Sequence, residues 1–110
     1  MTQRNEKVGN LIKELAAQFL GRNNDRNNRT SLITVMSANV SPDLKRATIF
    51  ITVLPDSKEK PALDFVKRQL KKMREFLKKN MPIKTIPFLD VMIDQGEKNR
   101  QKIDELLRNG

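Results

Sequence analysis

Residues 62–80 constrain this chain more than any other stretch. Wound at about 100° per residue, they set Leu63, Val66, Leu70, Met73 and Leu77 on one narrow stripe, which Ala62, Phe65 and Phe76 widen. The remaining circumference is cationic. Lys67, Lys71, Arg74 and Lys78 follow one another at spacings of four, three and four, and Arg68, Lys72 and Lys79 form a further row. From Pro61 to Lys84 there are eight Lys or Arg against Asp64 and Glu75, a local balance of +6 in a chain whose total is +9. Such a helix has one side that must be buried. Its other side repels itself until something anionic covers it.

The surrounding chain supplies the means of burial. Residues 5–20 repeat Val8, Leu11, Ile12, Leu15, Ala16, Phe19 and Leu20 at helical spacing, and Gly21 is placed to cap that helix. Residues 21–30, GRNNDRNNRT, contain no apolar side chain and four Asn, whose side chains compete for backbone hydrogen bonds; a flexible loop is expected there. Leu32 to Val40 is rich in β-branched residues and reads as a strand. Ser41-Pro42-Asp43 reads as a turn, and Ala47 to Leu54 as a second strand pairing antiparallel with the first. The long helix is expected to begin between Ser57 and Pro61 and to stop before Pro82. A third strand is expected over Ile86 to Ile93, with Pro87 near its start. Residues 95–110 are expected to hold a partly ordered C-terminal helix, Gly96 to Leu107, with the thin apolar set Ile103, Leu106 and Leu107.

The order is therefore helix, strand, strand, helix, strand, helix in a single domain, 1–110. Two striped helices on one side of a three-stranded sheet make a two-layer α+β sandwich, with the other sheet face largely exposed. At this length a chain buries roughly 65% of its unfolded surface. The 37% hydrophobic content supports a small core, and the charged fraction of 32% exceeds the usual figure of about 25%. There is no Cys, hence no disulfide framework. No apolar run approaches the ~18 residues of a membrane span, and MTQRNEKVGN lacks the apolar centre of a signal peptide. A soluble, cytoplasmic monomer with no membrane partner is the expectation.

Residue types exclude most chemistry. Without His or Cys the commonest bases, nucleophiles and transition-metal ligands are missing. The four Gly form no phosphate or dinucleotide loop, and no G-x-S-x-G occurs. Asp90 and Asp94 point the same way along a strand and could hold Mg²⁺, but solvent-facing strand carboxylates are the ordinary account. No catalytic residue, metal site, cofactor or small-molecule substrate is assigned, and a binding protein is expected, not an enzyme. A charged helix surface is usually only a solvated face. Here seven of the thirteen positions from Lys67 to Lys79 are Lys or Arg and one is acidic, which favours a polyanion. Lys67, Arg68, Lys71, Lys72, Arg74, Lys78 and Lys79 are the candidate phosphate contacts, with Lys45, Arg46 and Lys84 behind them. Four of the five Phe (Phe19, Phe50, Phe65, Phe76) fall in core-like patterns, so recognition of RNA backbone and shape is expected over extensive base stacking. Two rivals use the same features. One is a DNA-binding, nucleoid-type protein; the other is a protein-interaction module built on the open sheet face and the last helix.

Several segments together resemble the ribosome-binding factor A family of small bacterial ribosome-assembly proteins. They are Ile12-Lys13-Glu14-Leu15, Val40-Ser41-Pro42-Asp43-Leu44-Lys45-Arg46-Ala47, Met73-Arg74-Glu75-Phe76-Leu77-Lys78-Lys79, Ile86-Pro87-Phe88-Leu89 and Lys102-Ile103-Asp104-Glu105-Leu106-Leu107. They span almost the whole chain in order. The resemblance implies a type II KH-like fold and binding to the small ribosomal subunit during late maturation of its rRNA, with no catalysis and no cofactor. Members usually carry an Ala-x-Gly kink inside the long helix. Gln69-Leu70-Lys71 stands there in this chain, which implies a straighter helix with an extra positive charge where the family has glycine.

Overall fold

The computed structural model describes residues 2–27, 31–83 and 85–96. Its elements are α1 (Thr2–Asn27), β1 (Leu32–Val40), β2 (Arg46–Leu54), a 3-10 turn (Asp56–Lys58), α2 (Glu59–Asn80) and β3 (Phe88–Ile93). The sheet order is β1-β2-β3. β1 pairs antiparallel with β2, and β2 pairs parallel with β3. A parallel pair cannot be joined by a hairpin, so α2 is the crossover between β2 and β3. Both helices lie on one sheet face, in the expected two layers, and the core between them is one cluster with no buried polar or charged residue among the described ones.

α1 and β2 begin earlier than expected, at Thr2 and Arg46, and two further boundaries differ for a physical reason. Residues 21–27, expected as loop, continue α1 to Asn27, so Gly21 does not cap it. Nothing lies within 4 Å of a Cβ added at Gly21, so it is an ordinary helical position on the open side. Polarity without apolar spacing does not forbid helix; Arg and Asn cost only tenths of a kcal/mol, about 0.2–0.7, relative to Ala. The second difference is β3, which begins at Phe88 and not at Ile86. Pro87, with no N–H to donate, precedes the ladder, and the first N–H able to join is that of Phe88, which donates to the Lys45 carbonyl at 2.8 Å. Of the helix expected over 96–107 only Gly96 is described, as helical together with Gln95; residues 97–107 lie outside the described residues.

β1 carries an irregularity that alternation alone does not reveal. Ile33 and Val35 are buried, as is Val40, with Ala38 half-buried beside it. The inward set therefore switches from odd to even numbers. A register shift between Val35 and Ser37 absorbs Met36 as an extra residue, so that Val35 faces Ile51 while Ala38 faces Ile49 and Val40 faces Ala47. Without this bulge half of the strand would present its apolar side chains to water. Gly9 of α1 lies against the same region. A Cβ there would sit 2.7 Å from the Ala38 carbonyl oxygen, so only glycine lets α1 approach β1 this closely.

The long helix is seated as its stripe requires. Ala62, Phe65, Val66, Met73 and Leu77 are buried, while Leu63, Leu70 and Phe76 are half-buried against them. Phe76 meets Phe19 of α1 with ring centroids 5.7 Å apart and a tilt of 50°, which joins the two helices. Pro82 forces Met81 out of the helical region, to φ −109° and ψ 138°. The final turn is closed by the Met81 N–H on the Leu77 carbonyl at 2.9 Å and by Asn80 Nδ2 on the Phe76 carbonyl at 2.7 Å. Glu59 in the first turn and Lys78 and Lys79 in the last complement the helix dipole.

Candidate nucleic-acid interface

Burying the apolar stripe of α2 against the sheet leaves its opposite surface no choice but solvent. Lys67, Arg68, Lys71, Lys72, Lys78 and Lys79 are all exposed. α2 is one uninterrupted 22-residue helix, so these side chains project from a single rod through the Gln69-Leu70-Lys71 position. Lys71 lies on that outer surface, as its helical spacing from Lys67 implied.

Arg74 differs from its neighbours. It is half-buried, and Nη2 donates to the Ile86 carbonyl at 2.9 Å. Its Nε is buried without a hydrogen-bond partner. Arg74, expected as one more phosphate contact in the row, also pins the segment leading into β3 to the side of α2. A guanidinium can hold a carbonyl with one nitrogen while keeping net charge at the surface, and Arg74 still forms part of the wall of a hollow of about 420 Å³ with Leu70, Lys71, Phe88 and Leu89.

Lys45 and Arg46 are presented by the β1–β2 turn. Leu44 N–H donates to the Ser41 carbonyl at 2.9 Å, closing a four-residue turn. Ser41 N–H donates to the Arg46 carbonyl at 2.9 Å, and Ser41 Oγ accepts from Arg46 N–H at 3.0 Å. The same Oγ donates to Asp43 Oδ1 at 2.6 Å, which also accepts from Lys45 N–H at 3.0 Å. Donation from the Ser41 hydroxyl, then from the Lys45 amide, holds the Asp43 carboxyl below its ordinary range. Leu44 adopts φ 61°, a left-handed conformation unusual for a branched side chain, and its packing against the core offsets that strain. The Ser-Pro-Asp-Leu sequence thus fixes where the exposed Lys45 and Arg46 emerge.

The two cationic groups meet at Phe88. Arg46 is its register partner across the β2–β3 ladder, and Lys45 accepts its amide. A second hollow, about 480 Å³, is lined by Lys45, Arg46, Ala47, Thr48, Phe88 and Asp90 on the open sheet face. Phe88 lines both hollows. Helical spacing could not bring Lys45 and Arg46 near Lys71, since a turn and a strand pairing place them; a run of basic residues shows only the part that lies on one helix. Lys84 lies outside the described residues. Asp90 is exposed and accepts from the Val91 N–H at 2.8 Å, whereas Asp94, just past the end of β3, is half-buried and donates its N–H to the Ile51 carbonyl at 2.8 Å. Phe50, expected in the core, is half-buried on the open face between Thr48 and Thr52. Among the described residues no cluster of His, Cys, Asp and Glu could hold a metal ion, and no helix is long and apolar enough to cross a membrane.

A helix–strand–strand–helix–strand chain, with an antiparallel then a parallel pair beneath a cationic crossover helix, defines a KH-like domain of type II. The family model described as ribosome-binding factor A matches residues 4–107, and the chain belongs to that family. Ribosome-binding factor A of Methylobacterium nodulans is 31% identical over 98% of this chain and 82% of its own length. That of Rhodopseudomonas palustris is 32% identical over 93% of this chain and 77% of its own length. Among solved structures, the crystal structure of ribosome-binding factor A from Thermus thermophilus superposes with a TM-score of 0.70 at 17% identity, covering 81% of this chain and 94% of that one. The solution structure of a Thermotoga maritima protein described as a putative ribosome-binding factor A gives 0.58 at 19% identity, with 83% of each chain covered.

Proposed function

We propose that this protein is a non-catalytic, cytoplasmic ribosome assembly factor that acts as a monomer. It binds the immature small ribosomal subunit through its RNA and assists the late maturation of that RNA. Family membership supports a ribosomal partner. The observation that carries the RNA reading is the row of exposed cations along one unbroken helix whose opposite side is fully committed to the core. Like charges at four-residue spacing cost a few tenths of a kcal/mol per pair, about 0.2–0.5, in the free protein. A phosphate backbone removes that cost and releases condensed counterions on contact. Lys67, Arg68, Lys71, Lys72, Lys78 and Lys79 neutralise phosphates, with Lys45 and Arg46 as a second group; Arg74 contributes charge while holding the segment before β3.

Co-sedimentation tests this. The wild-type chain should travel with free small subunits and less with complete ribosomes. The variant Lys67→Glu, Lys71→Glu, Lys78→Glu changes only exposed residues. It should lose co-sedimentation while melting within a few degrees, roughly 3 °C, of the wild type. If this variant travels with small subunits as well as the wild type does, the helix face is not the contact and the reading fails.

A further inference from the structure

Phe88 is out of place for a purely electrostatic surface. All five Phe lie among the described residues, and Phe19 and Phe65 are buried while Phe50 and Phe76 are half-buried. Phe88 alone is mostly exposed, at 70%. An aromatic ring carries a large apolar area, and leaving it in water forgoes the burial that stabilises the other four. Its backbone is nonetheless fixed from three directions. Its N–H donates to Lys45, it is in register with Arg46, and the Ile86 carbonyl two residues earlier is held by Arg74. The ring is therefore carried on a firm mount at the sheet edge. It stands between a hollow bearing Lys71 and Arg74 and a hollow bearing Lys45 and Arg46.

We infer that Phe88 is a stacking platform for an unpaired RNA base, with the flanking phosphates held by Lys71 on one side and by Lys45 and Arg46 on the other. The inference rests on the RNA-binding reading above and adds the class of RNA that this part of the surface takes. A duplex presents phosphates but no free base face, whereas a single strand presents both. Cations on two sides of a lone exposed ring match a strand that crosses the edge of β3, with one base laid on the ring and the chain continuing past each hollow. An apolar protein segment would also cover a phenyl ring, but it would gain nothing from the four cations around it and would desolvate them. The edge site thereby distinguishes unpaired from paired RNA, which the lysine row on α2 does not.

The test uses the full chain and two probes, an oligouridylate and an RNA duplex of similar charge, with affinities read by fluorescence anisotropy at one salt concentration. Phe88→Ala should weaken oligouridylate binding about thirtyfold, the middle of the range for loss of one base–aromatic stack, and leave the duplex unchanged. Phe88→Leu, which keeps apolar area without a π face, should behave like Phe88→Ala. Phe88→Trp should restore binding. Since the chain has no Trp and no Tyr, its indole emission should be quenched by the oligonucleotide and not by the duplex. Three results would overturn the inference: equal affinities of Phe88→Ala and the wild type for oligouridylate, full binding by Phe88→Leu, or an indole signal indifferent to RNA. Failure of the wild type to bind either probe would instead remove the RNA-binding reading itself.

Discussion

Two surfaces of this molecule face solvent at a cost, and they are opposites. The outer side of α2 is almost purely cationic. The open sheet face holds Leu32 and Leu54, which are register partners at 57% and 62% exposed, together with Phe88 at 70% and Met92 at 50%, set among Thr, Asn and Asp. The first surface is strained by repulsion, which acts over about 8–10 Å in physiological salt. The second is strained by apolar contact with water, which only direct coverage relieves. A surface of the first kind can gather a polyanion from a distance but cannot tell one sequence or conformation from another. A surface of the second kind has no reach but can discriminate, and Phe88, at the border of the two, is where reach and discrimination meet.

The largest expected effect tests whether the sheet is what holds the cations outward. Leu77 is wholly buried on the core side of α2. Leu77→Ala should cost about 3 kcal/mol of stability by denaturant titration. A loss below about 1 kcal/mol would mean that α2 is not seated on the sheet as described. Next comes the charge reversal of Lys67, Lys71 and Lys78. Binding to naked rRNA should weaken at least a hundredfold, about 2.7 kcal/mol, with stability unchanged, so that the two faces of one helix separate into a stability phenotype and an affinity phenotype. Gly9→Ala should then destabilise by about 1–2 kcal/mol through the clash with the Ala38 carbonyl, even though Ala is the better helix former by about 1 kcal/mol. A stabilised Gly9→Ala protein would show that α1 and β1 have room to separate.

The smallest effect concerns the turn that presents Lys45 and Arg46. Hydrogen bonds from Ser41 and from the Lys45 amide depress the Asp43 pKa in the folded state relative to its ordinary value of 3.8. The contribution of the ionised carboxylate is therefore complete above that value and is lost as the pH falls through the lower, folded one. In an NMR titration the Lys45 amide should shift in that acid window, below about pH 3.8, and Asp43→Asn should abolish the shift. A Lys45 amide that stays constant through the window would mean that the carboxylate does not hold the turn.

The α2 stripe, the β1–β2 hairpin and the Pro82 stop were legible in the sequence because each is a local rule: helical period, turn chemistry, proline sterics. What was not legible depends on residues far apart in the chain. The Met36 bulge is visible only against the register of β2. The extension of α1 to Asn27 shows that a polar run is silent about helix, since its residues neither need burial nor break the turn. Arg74 looks like any member of the basic row until the Ile86 carbonyl arrives beside it. Phe88 reads as an ordinary strand aromatic. Alternation with Leu89 and Val91 turns it outward, but only the parallel pairing with β2 sets it next to Arg46 and between the two cationic groups.

The most direct measurement is the salt dependence of binding to small-subunit rRNA, taken for the wild type and for the Lys67, Lys71, Lys78 charge-reversal variant. If the outer side of α2 neutralises about five phosphates, log K for the wild type should fall with log salt at a slope near −3.5 on single strands, steeper on duplex. The variant's slope should be shallower by roughly three phosphate contacts, about 2 on single strands. A wild-type affinity that does not change with salt, or a variant whose slope equals the wild type's, would contradict the account.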